Sequence, residues 1–299
     1  GKTKNEKYLY FHDFNALYVF NKQTATVENV LYKTSTRQND FVVLDDIVAI
    51  CGRNAFNNKI SLFQNNGDAS LSFIANLYDE LRKKSSYCGA IAVKDNLMCV
   101  GGANLGGGFD GGGLTVFNID DLSSPKYLFD GNKQKEALPY CSYLTLSFYE
   151  EQLVASTDYD EGYFWTIYDI GNPEMPKEIS RKKQKIQRPY QHFRVEEKDI
   201  YYAIKYEKSS DTKVIELYIA YHSLHENEVV VNEFTYRLSE ENHSLTAYEK
   251  EILKKLQLIL AFDHDKKTIG YKYGRGKFHV KNDFLYKLTQ SAGIEVYEM

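Results

Sequence analysis

The phrase Leu114-Thr115-Val116-Phe117-Asn118-Ile119-Asp120-Asp121-Leu122-Ser123-Ser124-Pro125 returns, altered, as Trp165-Thr166-Ile167-Tyr168-Asp169-Ile170-Gly171-Asn172-Pro173-Glu174-Met175-Pro176. Each copy alternates as a strand does, enters an Asp/Asn turn and then meets a proline. A unit this short cannot bury its own apolar face, so the copies must pack on one another. The repeat constrains the architecture and leaves the chemistry open.

Weaker copies stand at Leu17–Asn21, Ile60–Gln64, Leu217–Tyr221 and Ile294–Glu298. Their fourth residues are 20, 63, 117, 168, 220 and 297, at intervals of 43, 54, 51, 52 and 77. Upstream of these anchor strands lie hairpin signals, such as Ala90–Gly102 and Thr145–Ser156, in which polar turns separate β-forming runs. An outer strand such as Lys126–Phe129 or Val229–Phe234 follows. The unit reads as a four-stranded antiparallel meander, and meanders of this size suit the blades of a β-propeller.

The anchor pattern with its following proline resembles the LVIVD repeat of bacterial β-propellers. That resemblance and the interval predict an all-β propeller filling residues 1–299 as a single domain. Six blades are expected, with seven as the alternative. Tyr8–Phe11 is expected to close the molecule by supplying the outer strand that the last blade, ending at Ile294–Glu298, lacks. In the 77-residue interval, apolar residues at 245, 248, 252, 253 and 256 predict a helix over 244–258 with Ser244 as its N-cap.

Forty-three per cent of residues are hydrophobic, enough for a substantial core, and 25 Tyr and 17 Phe suit half-buried strands. The net charge of −4, with cations spread along the chain, argues against a nucleic-acid partner. The densest basic run, Arg181–Lys185, reads as a solvated loop between blades. No apolar run is long enough to span a membrane. The chain begins at Gly1 without Met, which leaves room for a removed leader or a lipid anchor. Cys51, Cys88, Cys99 and Cys141 sit at near-repeat positions and read as small buried hydrophobes. A Cys88–Cys141 bridge between neighbouring inner strands is the sharper alternative.

The Gly-rich stretch Asn104–Gly113 joins two strands rather than a strand and a helix, so it reads as a mobile binding loop, not a phosphate cradle. The acidic clusters Asp158–Gly162 and Asp263–Lys267 lack a full calcium-loop pattern and read as turns. The seven histidines have no zinc spacing, and neither a nucleophile elbow nor a cysteine–histidine signature is present. No metal or cofactor is therefore expected. The candidate ligand-binding residues are Tyr87, Tyr140, Tyr143, Arg188, Tyr190, His192 and His279, an aromatic rim with two channel histidines. Packing between blades is the competing reading of the tyrosines. The sequence thus leads to a monomeric, extracytoplasmic, non-catalytic propeller that recognises a protein, peptide or glycan. The alternative is a hydrolase or lyase whose site is assembled in the channel from several blades.

Overall fold

The computed structural model describes residues 7–12, 16–33, 37–44, 46–53, 58–78, 86–104, 112–131, 133–134, 138, 141–185, 191–195, 198–208, 213–226, 228–237, 244–265, 278–281, 284–289 and 293–298. Among them the chain divides into two compact units, residues 1–184 and 185–299.

The first unit holds four antiparallel sheets. β1 (Tyr8–His12), β2 (Ala16–Asn21) and β3 (Thr26–Lys33) form a three-stranded sheet. β4 (Arg37–Val43), β5 (Ile47–Arg53), β6 (Asn58–Asn65) and β7 (Leu71–Tyr78) form the second. β8 (Ser86–Lys94), β9 (Leu97–Asn104), β10 (Leu114–Asn118) and β11 (Lys126–Asp130) form the third. β12 (Ser142–Tyr149), β13 (Gln152–Tyr159), β14 (Gly162–Asp169) and β15 (Lys177–Lys183) form the fourth. In all four the strands pair in chain order, as in a meander.

The anchor phrase does two local jobs. The Asn or Asp that ends the anchor strand closes an Asx turn by accepting the backbone N–H two residues on. Asn21 accepts from Gln23 at 2.8 Å, Asn65 from Gly67 at 3.2 Å, Asn118 from Asp120 at 2.8 Å and Asp169 from Gly171 at 2.9 Å. The outer strand then takes a bulge opposite the same step of the anchor: Val19/Phe20, Leu62/Phe63, Val116/Phe117 and Ile167/Tyr168. The repeat therefore encodes a turn and a bend as well as a strand.

Neighbouring sheets pack through inward-facing apolar residues. Ile60, Leu62, Ile91, Met98, Val100 and Phe117 fill the space between the second and third sheets. Leu114, Val116, Tyr143, Leu153, Ala155 and Tyr168 fill that between the third and fourth. At the edge of the second layer, Asp40 of β4 accepts the Ile91 N–H of β8 at 3.1 Å, which satisfies a donor on the innermost strand of the next sheet. Close by, Cys51 and Cys88 are disulfide-bonded, with Cα atoms 5.6 Å apart. This replaces the expected packing role for these two residues and excludes the Cys88–Cys141 pairing. Cys99 and Cys141 are free thiols inside the core, as expected.

The second unit departs from the meander plan. β16 (Gln191–Val195), β17 (Lys198–Lys208), β18 (Lys213–His225) and β19 (Glu228–Arg237) form an antiparallel series, and β20 (Phe278–Lys281), β21 (Phe284–Thr289) and β22 (Gly293–Glu298) form another. β16 and β20 pair in parallel, Phe193 with Phe278 and Val195 with Val280, and weld the two series into one seven-stranded sheet. The propeller accordingly has five blade sheets, not six or seven. The expected closure does not form either. β1 pairs with β2, and β22 pairs with β21 alone among the described strands.

The predicted helix is present as α1 (Ala247–Asp265), later at both ends than expected. Thr246 rather than Ser244 caps it. The Thr246 hydroxyl accepts the Glu249 N–H at 3.2 Å, and the Glu249 carboxylate accepts the Thr246 N–H at 2.9 Å. This reciprocal pair is a capping box. The helix runs past 258 because residues 257–265 contain neither Gly nor Pro. Ile252, Leu253 and Leu256 are buried against Ile200, Tyr202, Leu217 and Ile219, so α1 covers one face of β17 and β18.

Candidate functional site

The most developed chemistry in the described residues lies where the third and fourth sheets meet, at the end that carries their second-to-third-strand connections. It begins with a neck of glycines. Gly102 and Gly112 approach so closely that a Cβ on either would stand 2.4 Å from the other's Cα. Only glycine fits there. Gly112 also forms an isolated bridge with Cys141, donating its N–H to the Cys141 carbonyl at 2.9 Å. The Gly-rich stretch is therefore clamped at its base to the start of the fourth sheet. Residues 105–111 lie outside the described residues.

Beneath the neck is a buried cluster of phenols and a thiol. Gly101 leaves room for Tyr143: a Cβ at Gly101 would lie 2.3 Å from Tyr143 Cβ. Tyr143 is fully buried, and its hydroxyl is 3.1 Å from that of Tyr168. Burial holds both phenols well above their ordinary range, with each other's charge and that of Cys141 adding to it. Burial likewise pushes the Cys141 thiol up to about 12, an effect that hydrogen bonding with Tyr159 and Tyr143 partly opposes. Tyr159 is raised too, by burial first and by Cys141 next. The Arg181 guanidinium lies 4.3 Å over the Tyr159 ring and is held there by a bidentate pair with Glu178, at 2.9 and 2.6 Å. At neutral pH the thiol and the phenols are all protonated. The cluster offers no nucleophile or general base.

Of the residues expected to bind a ligand, Tyr143 is the one whose side chain is described, and it faces the core. Tyr87 is on β8 in register with Ala103. His192 is on β16 opposite Tyr201, and His279 is on β20 level with Arg194, so the second unit places the two histidines on adjacent strands. The side chains of Tyr87, His192 and His279, and residues Tyr140, Arg188 and Tyr190, lie outside the described residues. Sequence reasoning missed Tyr159, Tyr168 and Arg181 as companions of Tyr143. Tyr168 was legible only as the fourth residue of an anchor strand.

The acidic cluster at 158–162 is a tight hairpin turn. Tyr159 pairs with Gly162, whose φ is +120°, and Asp160 and Glu161 are exposed at its tip. Asp263–Asp265 belong to the last turn of α1 rather than to a loop. Among the described residues no three His, Cys, Asp or Glu converge on a common point. No described helix is long and apolar enough to cross a membrane.

Neither a protein-family model nor the sequence of a curated protein matches the chain. Solved structures do resemble it in fold. One is U3-55K, with a TM-score of 0.55 at 8% identity over 99% of this chain and 93% of that one. Another is the computationally designed Ika8 protein, at 0.53 and 10% identity, covering 98% and 94%. A third is a chain of the mitotic checkpoint complex, at 0.53 and 8% identity, covering 99% and 85%. At such identities the likeness concerns the fold alone, and the fold is that of a β-propeller.

Proposed function

We propose that the protein is a non-catalytic binding propeller, akin to the LVIVD-repeat propellers, that works outside the cytoplasm. It recognises a protein, peptide or glycan at the connection end of its third and fourth sheets. The observation that carries this reading is the inward turn of the reactive groups there. Cys141, Tyr143 and Tyr168 are buried and protonated, and the exposed part of that end consists of connections unlike one another. A Gly-rich stretch with a rigid base stands beside a two-residue acidic turn. Variable connections on an invariant scaffold suit recognition. The buried Cys51–Cys88 bond supports the compartment, because such bonds persist where the surroundings are oxidising.

Glycan and peptide arrays test the reading. A variant in which residues 105–111 give way to an Asp-Glu turn, like that at 160–161, should keep its thermal midpoint and lose the array ligand. Retention of the ligand by that variant would reject this end as the binding surface.

A further inference from the structure

We propose that β15, the outer strand of the fourth sheet, docks an extended acidic segment of a partner protein, which joins the sheet as a fifth strand. The strand bonds to β14 on one side and ends its sheet, so its other edge carries a row of N–H and C=O groups. Its seven residues span about 23 Å at roughly 3.3 Å per residue.

The charge on this edge is unlike that on the other outer strands. β15 carries Lys177, Glu178, Arg181, Lys182 and Lys183. Glu178 and Arg181 neutralise each other in their bidentate pair, which leaves three exposed lysines. By contrast β3 carries one Glu and one Lys, β7 no charge, β11 one Lys and one Asp, and β19 two Glu and one Arg. A chain of net charge −4 thus gathers a positive excess on a single edge. Lys182 and Lys183 are consecutive in register, opposite Trp165 and Phe164, and so stand on opposite faces of the sheet. An acidic strand laid alongside would meet cations on both of its faces, within a Debye length of about 8 Å.

Charge alone would be ordinary protection against edge-to-edge pairing. Two neighbours argue for docking as well. Ile179, the bulge residue, is 50% exposed, and Met175, in the preceding turn, is 59% exposed. An edge built only to repel strands gains nothing from large apolar side chains beside its lysines. An incoming strand gains an apolar contact. A second copy of the same edge would be repelled by like charge, so the occupant is an acidic segment that adds its own backbone hydrogen bonds. The surface lies on a different strand from the neck and its cluster, and its failure leaves the function proposed above untouched.

The test uses the full chain and a fluorescein-labelled heptapeptide of sequence Asp-Glu-Asp-Leu-Glu-Asp-Glu. Anisotropy at 50 mM NaCl should show binding that K177E/K182E/K183E weakens at least tenfold. Hydrogen exchange should slow over 177–183 when peptide is present. The variant lacking 105–111 should bind the peptide as the parent does. Absence of binding, equal binding by the triple variant, binding without protection of β15, or preference for phosphatidylglycerol vesicles over the peptide would each overturn the proposal.

Discussion

One position between sheets is filled in three ways along the first unit. The residue of the second strand that follows the inner-strand bulge is Cys51, then Gly101, then Ser156. Cys51 bonds covalently to Cys88, Gly101 receives the Tyr143 ring, and Ser156 accepts a hydrogen bond from Gln184 at 2.8 Å. Each partner closes the same gap by different chemistry. Gly101→Ala should therefore cost about 2–3 kcal/mol, because its Cβ meets the fixed base of Tyr143 rather than a movable tip. Urea unfolding measures this, and Tyr143→Ala in the same chain should recover part of the loss. The Cys141 thiol makes a second prediction. Its folded-state value, about 12, lies above the ordinary value of 9.0, so the folded form holds its proton longer than the unfolded one. Its contribution to stability is complete below pH 9 and falls as the pH rises toward 12, by about 1.4 kcal/mol per pH unit. Tyr143 and Tyr168 add the same sign at higher pH. Alkaline unfolding curves of Cys141→Ala should be shallower than the parent's between pH 9 and 11. The Asx turns after the anchor strands could be read from Asn and Asp alone. The disulfide could not. Cys88 matches Tyr143 in register, not Cys141, and an offset of two residues hid the true pair.

Strands of three sheets were legible element by element, since alternation and turn residues are local signals. The count of sheets was not. Whether β16 and β20 face each other at bonding distance depends on residues far apart in the chain, and an interval between anchors carries no trace of it. The basic run was misread for a related reason. Arg181–Lys183 belong to β15 rather than to a loop, because an edge strand needs no apolar alternation on a solvated side. The helix shows how small signals decide boundaries. Its apolar stripe was correct, and its start was fixed by a capping box two residues beyond Ser244. Thr246→Ala should destabilise the second unit by about 1 kcal/mol, read by circular dichroism, with faster hydrogen exchange in the first turn of α1.

At the scale of the molecule the two units carry different restraints. The Cys51–Cys88 bond lies wholly in the first and closes a loop of 37 residues. Replacing both cysteines by Ala should remove about 3–4 kcal/mol from that unit. In calorimetry one component should move down in temperature and the other should hold its place. A shift of both together would show that the units unfold as one. The weld between β16 and β20 has a consequence in time. Phe193 leaves the ribosome 85 residues ahead of its partner Phe278, so the edge of β16 waits through the synthesis of two long strands and a helix. During that wait α1, built from local contacts, can already lie on the apolar face of β17 and β18. The order of synthesis thus shields the broad face early and leaves one short edge, five residues long, as the last seam to close.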